Sequence, residues 1–320
     1  MSTPKSTRRR SPRQRGPAER EEAGPATNVT KGSSRDRSSL NCAVRGLTPA
    51  DVEPADVVLK AAYGGREGRA ETLRRFLTLD AGGWRVAVDG NTILGCVGAL
   101  DYGRFAYVGM MAVRPDAQGR GIGRALMQDV LAWIGDRGTA SVLLDATAAG
   151  APLYTSLGFA DEDDVCLYTR AEAAGPTARP DSAITLGPDD VERIRRLDAP
   201  IFGADWQRLL GLWLAAFPGR AFGTRDRSGE LSGFAIAQEN RIGPWVAREA
   251  AVAEVLLVAA LSLRFSDAPS VISPGANRAA REVLARYGFA QTGGTRHMRR
   301  GPGVSQERAS IWGQVNYAAG

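Results

Sequence analysis

The sequence predicts an α/β (α+β) protein made of two similar units behind a basic tail. Three observations carry this. Strand and helix patterns follow one another as β-α-α-β-β-β-α-β-α-β across the first half. In the middle of that series, over Tyr107 to Trp133, an apolar strand runs through a glycine-rich loop into a helix. Three short segments of the first half recur in the same order in the second.

At 320 residues the chain has room for about two domains. Its net charge of +6 belongs to the tail. Residues 1–40 hold ten Lys/Arg and four Asp/Glu, and the remainder holds 31 of each sign. The neutral body argues against nucleic acid as a partner, except for weak contacts through the tail. That tail is rich in Ser, Pro, Arg and Gly, and we expect it to be disordered. No apolar run approaches the roughly 18 residues of a membrane span, so no membrane role is expected. Cys42, Cys96 and Cys166 have no metal-like spacing, and His297 is the single histidine. A His-based metal site or a Ser-His-Asp triad therefore lacks material. Reduced thiols, no metal and a cytoplasmic location are the expectation.

Ala43 to Leu47 reads as a strand. Thr48 and Pro49 read as the cap and first position of a helix that buries Val52, Val57, Val58 and Ala61. After the Gly64-Gly65 turn, Glu71 to Leu79 is a helix with Leu73, Phe76 and Leu77 inward. Trp84–Val88 and Ile93–Leu100 form a hairpin around Asp89-Gly90-Asn91. Tyr107–Val113 is a buried strand, and helical spacing resumes with Ala125, Leu126, Val130, Leu131 and Ile134. Ser141–Asp145 is a strand, Pro152–Leu157 a short helix and Val165–Tyr168 a closing strand. Residues 172–182 read as a linker, separating a domain at 41–171 from one at 183–320.

The repeat has a gap in an informative place. Leu47 to Val52 matches Leu186 to Val191, Leu94-Gly95 matches Ser232-Gly233, and Leu157 to Ala160 matches Tyr287 to Ala290. Gly95 to Gly158 spans 63 residues, whereas Gly233 to Gly288 spans 55. The missing residues fall where the first half carries Gln118-Gly119-Arg120-Gly121-Ile122-Gly123-Arg124. Such a loop before a helix is suited to an anion, because its glycines admit a ligand close to the backbone. The first helical turn adds unpaired N–H groups and a positive dipole end.

Gln118 to Gly123 and the later Tyr154-Thr-Ser-Leu-Gly158-Phe159 together resemble the GCN5-related N-acetyltransferase (GNAT) superfamily over roughly Ala43 to Arg170. They fit its Q/R-x-x-G-x-G/A and Y-x-x-x-G-F motifs. The second half, through Gly243-Pro244 and Asn277 to Phe289, is similar to the C-terminal domain of tandem acetyltransferases of the YitH type. The resemblance implies two tandem GNAT-like domains, each a mixed, mostly antiparallel central sheet flanked by helices. It implies acetyl-CoA as co-substrate and an amine of a small molecule, peptide or protein as acceptor.

Residue by residue, it places the pyrophosphate on the backbone from Gly119 to Arg124, with Gln118, Arg120 and Arg124 beside it. The pantetheine arm falls along Met111, Ala112 and Val113. Arg120 could instead be solvated, and the methionine side chains could be core. Tyr154 falls where the family places its general acid, though a tyrosine there could also be a packed aromatic. Asp145, or Asp101 with Tyr102, are the nearest candidates for a base, and each could be a turn or cap residue instead. Thr147 to Gly150 stand where the family often has an asparagine. In the second half Leu284 replaces the tyrosine, so this domain reads as a degenerate copy. Phe202, Asp205, Trp206, Arg208 and Trp245 are candidates for a wall of the acceptor pocket, or for that domain's own core. A non-catalytic acyl-CoA sensor or regulatory protein is the alternative function. The oligomeric state leaves no trace in the sequence.

Overall fold

The computed structural model describes residues 42–64, 68–170 and 178–320. The tail read as disordered, Gly65, and residues 172–177 of the linker lie outside the described residues.

The first half follows the predicted order. It contains β1 (Ala43–Gly46), α1 (Val52–Tyr63), α2 (Ala70–Leu79), β2 (Trp84–Asp89), β3 (Thr92–Asp101) and β4 (Ala106–Val113). Then come α3 (Ile122–Asp136), β5 (Val142–Ala146), α4 (Ala151–Thr155) and β6 (Ala160–Arg170). A single 3-10 turn at Pro49–Asp51 leads into α1. The Asp51 carboxylate accepts from the Thr48 N–H at 2.8 Å and from Arg45 at 2.7 and 2.8 Å. The inward face of α1 is Val52, Ala55, Val58 and Leu59. Val57, expected inside, is 65% exposed, and Ala61 is exposed too. At about 100° per residue both fall on the side away from Val52, so apolarity alone misplaced them.

The second half repeats the order. Its elements are β7 (Ile184–Leu186), α5 (Val191–Phe202), α6 (Gln207–Ala216), β8 (Ala221–Arg225), β9 (Leu231–Ala237), β10 (Ile242–Ala247) and α7 (Ala250–Leu261). They continue with β11 (Ser270–Pro274), α8 (Arg278–Arg286), β12 (Phe289–Arg300) and β13 (Ile311–Gly313). Only Arg248 and Glu249 separate β10 from α7, whereas residues 114–121 separate β4 from α3.

Two sheets result, mostly antiparallel and flanked by helices. One has the order β1-β2-β3-β4-β5-β12-β6-β11 and the other β13-β10-β9-β8-β7. Thus β12, from the second half, lies between β5 and β6 of the first. It pairs His297 with Asp145 on one side and Thr295 with Val165 on the other. β4 and β5 are parallel, and the pairs flanking them are antiparallel.

The halves also share a core. Phe76 stacks between Trp84, at 5.5 Å, and Trp213 of α6, at 5.7 Å. Tyr102 and Phe105 pack on Phe202, which stacks on Trp206 at 4.0 Å. Each such side chain contributes about 1.5–3 kcal/mol by leaving water. Phe202, Trp206 and Trp245 are buried, the first two in this shared core and Trp245 in a second cluster with Trp312. Asp205 and Arg208 stay near the surface, bonded to Arg195 and to the Thr78 carbonyl. Among the described residues no helix is long and apolar enough to cross a membrane.

Candidate active site

The site begins where β4 and β5 part. They pair from Ala106 with Val142 to Val108 with Leu144. Just beyond, β4 bulges. Cys96 pairs with Ala112 but Gly98 with Gly109, so Met110 and Met111 together oppose Val97. Met110 takes a φ of 50°, a left-handed value uncommon outside glycine. The extra residue bends β4, and a slot opens between the parted strands.

Strand alternation decides which groups face that slot. The Arg114 N–H bonds the Leu94 carbonyl on β3 at 2.8 Å. Val113 and Met111 therefore direct their main-chain groups the other way, and Ala112 directs its own toward β3. The Met111 carbonyl accepts the Tyr63 hydroxyl at 2.7 Å, and the Val113 carbonyl accepts Gln118 Nε2 at 3.2 Å.

The glycine loop lies at the end of this strand. Gly119 and Gly121 have φ of 75° and 82°, a conformation that strains any side chain. Gly121 is the N-cap of α3, and Gly123 packs so closely that a β-carbon would lie 2.9 Å from Met111 Cε. Helix start and slot wall are thereby in contact. The Ile122 side chain is buried, so only its main chain is available to a ligand. Arg124 Nη2 donates to Ser156 Oγ at 2.8 Å, which fixes one cation over the loop. Asp116 is held below the usual carboxylate range mainly by its hydrogen bonds from Arg114, with a smaller contribution from the Arg120 charge.

Tyr154 stands on α4, 8% exposed, edge-on to Phe159 at 6.0 Å. A β-carbon on Gly150 would lie 3.0 Å from its ring, so the ring rests on that glycine. Burial pushes its phenol up to about 12, and it keeps its proton through the neutral range. Thr147, in place of the family's asparagine, closes the turn before α4, whose N-cap is Gly150. Its hydroxyl accepts the Gly150 N–H at 3.2 Å and its carbonyl the Ala151 N–H at 2.9 Å.

Tyr63 was not foreseen. It is 42% exposed, yet its hydroxyl is raised by burial first and by the Tyr154 phenol second. A group open to water but crowded by protein belongs to a cleft wall. Its only trace in the sequence is a tyrosine ending a helix just before a glycine.

The two candidate bases differ. The Asp101 carboxylate is engaged by Arg137 at 2.7 Å, Thr139 at 2.9 Å and the Gly103 N–H at 2.9 Å. It acts in a turn and an ion pair. The Tyr102 hydroxyl donates to the Ala319 carbonyl at 2.9 Å. Asp145 is the first residue of β5 beyond the last pair with β4, and its side chain is fully buried against His297 and Gln314. In the second half Leu284 is buried core, and Asn277 caps α8 through the Ala280 N–H at 3.1 Å.

Comparison with known proteins agrees with this geometry. Residues 80–161 and residues 194–313 each match a family model described as an acetyltransferase (GNAT) domain. The uncharacterized N-acetyltransferase YitH of Bacillus subtilis (strain 168) is 26% identical over 170 residues, 52% of this chain and 59% of its own length. The match thus spans less than two thirds of that relative. The crystal structure of a candidate acetyltransferase from Pyrococcus horikoshii superposes with a TM-score of 0.79 at 25% identity, covering 90% of this chain and 99% of that one. A GCN5-related N-acetyltransferase from Sphaerobacter thermophilus shares the fold, with a TM-score of 0.64 at 20% identity over 84% and 99% of the two chains. Two matched domains, one slot and one glycine loop make the chain a tandem member of the GCN5-related N-acetyltransferase (GNAT) superfamily.

Proposed function

We propose that the protein transfers an acetyl group from acetyl-CoA to a primary amine by direct attack in a ternary complex, and that the first half, residues 41–171, carries the chemistry. The observation behind this is the meeting of slot, loop and phenol in one cleft. The main chain from Gly119 to Arg124 is suited to the pyrophosphate, because its N–H groups and helix dipole favour negative charge. Gln118, Arg120 and Arg124 border it. Met111 and Val113 turn their main chain to the slot, where the pantetheine amides would pair as an added strand does, with Ala112 holding β4 on β3. An N–H of this stretch would stabilise the oxyanion of the tetrahedral intermediate. Tyr154 would protonate the departing sulfur.

In this reading the second half binds no acetyl-CoA, since its loop is two residues long and Leu284 has no acidic proton. It packs on the first. The acceptor is an amine of a small molecule, a peptide or a protein, and the setting is cytoplasmic.

The test is thiol release from acetyl-CoA over a panel of polyamines, amino sugars, amino acids and peptide N-termini. With an accepted amine, Tyr154→Phe should lower turnover by about ten- to a thousand-fold and leave acetyl-CoA affinity nearly unchanged. Undiminished turnover would remove Tyr154 from the acid role. Tight acetyl-CoA binding without release for any amine would end the transferase reading.

A further inference from the structure

The second half places one histidine beside the parted strands. His297, on β12, is 0% exposed, and its Nδ1 lies 2.8 Å from Asp145 Oδ1. Gln314 Nε2 donates to the other carboxylate oxygen at 3.2 Å and lies 3.3 Å from the Tyr107 hydroxyl. The Tyr107 and His297 rings are 6.1 Å apart. His297 Nε2 is buried and has no hydrogen-bond partner among the described residues. A carboxylate on Nδ1 holds the proton of a neutral imidazole there and leaves the lone pair on Nε2. A pair of this kind kept only for stability is replaceable by apolar groups at little or no loss. An oriented imidazole with an unused nitrogen is also the arrangement of a general base.

Its location fits that role. Leu144 makes the last pair with β4, and Asp145 follows at the closed end of the slot. An acyl group carried along Met111 and Val113 would end there. Resting on the transferase reading above, we propose that His297, oriented by Asp145, accepts the proton of the attacking amine.

The amine nitrogen bonds to the acetyl carbonyl carbon and one of its protons passes to His297 Nε2. The C–S bond breaks and the sulfur takes the Tyr154 proton. Solvent returns the imidazolium proton to the phenolate, which restores both groups. The single active site is then built by both halves, with the acid from α4 and the base from the inserted strand.

Other titratable and charged groups surround the pair from each neighbouring element. Asp163 of β6, paired in register with His297, is bonded to Arg308 at 2.9 Å. Tyr107 faces Asp145 from β4. Tyr317 feels the Asp145 charge in one sense and that of Arg241 in the other.

Because His297 is the only histidine, untagged protein labelled with 15N-histidine gives one unambiguous imidazole spectrum. The expected result at neutral pH is Nδ1 protonated and Nε2 not, with the Nε2 resonance moving on addition of acetyl-CoA. His297→Gln should lower kcat/KM for the amine by about 10²–10⁴-fold and abolish the acid limb of its pH profile. Acetyl-CoA affinity should stay within about twofold, since no binding group is touched. Asp145→Asn should shift the proton between the ring nitrogens and lower kcat/KM. A protonated Nε2, a resonance indifferent to acetyl-CoA, or a His297→Gln protein with an unchanged pH profile would overturn the assignment. The spectra of the wild-type protein decide it even where a variant fails to fold. If the wild type acetylates no amine, the transferase reading fails and the base falls with it. If the wild type is active and His297→Gln matches it, only the base assignment fails.

Discussion

The Tyr63 hydroxyl donates a 2.7 Å hydrogen bond to the carbonyl oxygen of Met111. This contact ties the end of α1 to the bulged stretch of β4 and sets one wall of the cleft opposite Tyr154. A hydrogen bond of this kind contributes about 0.5–1.5 kcal/mol. Tyr63→Phe should lower kcat/KM by roughly two- to tenfold in steady-state kinetics, with the fold intact by circular dichroism. Unaltered kinetics would mean that α1 does not shape the site.

The Arg124 guanidinium is held beside the glycine loop by its hydrogen bond to Ser156. Arg124→Gln should raise KM for acetyl-CoA by about three- to thirtyfold and leave kcat unchanged, because ground state and transition state lose the same contact. KM of the wild type should rise with added salt more steeply than that of the variant. An equal salt response would exclude Arg124 from the phosphate site.

Gly109 leaves no room for a side chain. A β-carbon there would lie 2.3 Å from Ala318 Cα, a backbone atom. Gly109→Ala must displace the segment from Gln314 to Gly320, which we expect to reduce stability by about 1–3 kcal/mol. Denaturant melts would read the loss, and faster trimming by carboxypeptidase would locate it.

Asp198 is fully buried, with the Trp206 indole N–H as its donor. Burial pushes its carboxyl up to about 7, against a smaller opposing effect of that bond. A folded-state value above the unfolded one gives stability that is complete below about pH 4 and lost as pH rises through about 7. Asp198→Asn keeps an acceptor for Trp206 and removes the titration. Its melting temperature should match the wild type near pH 4 and exceed it increasingly toward pH 8. Parallel curves for the two proteins would contradict the burial argument.

Residues 42–170 alone should not form a stable domain. Without β12 the facing edges of β5 and β6 lose their partner, and Phe76, Tyr102 and Phe105 lose the aromatic rings of α5 and α6. Expressed by itself, the fragment should aggregate or show no cooperative melt, while the full chain melts in one transition. A soluble, cooperative fragment would show that the halves fold independently.

Several features were legible in the sequence because they are local. The order of strands and helices follows from apolar periodicity. The glycine loop is written in consecutive residues, where Gly119 and Gly121 supply the left-handed turns and Gly123 the close approach to Met111. Tyr154 lies four residues before a Gly-Phe pair that ends its short helix. The absence of the loop from the second half also shows as a simple shortening. What tertiary structure alone decided depends on pairings between distant residues. Nothing in the pattern of Phe289 to Arg300 says that this strand joins the sheet of the other half, since the run is mostly polar and has no apolar alternation to assign it to either sheet. His297 therefore read only as the single histidine of the chain, although Asp145 lies 2.8 Å from it across 152 residues of chain. Phe202 and Trp206 could have lined a pocket or filled a core, and only the meeting of the two halves buried them in one cluster. Periodicity specifies which face of an element is apolar; what that face meets is settled by the packing of the whole chain.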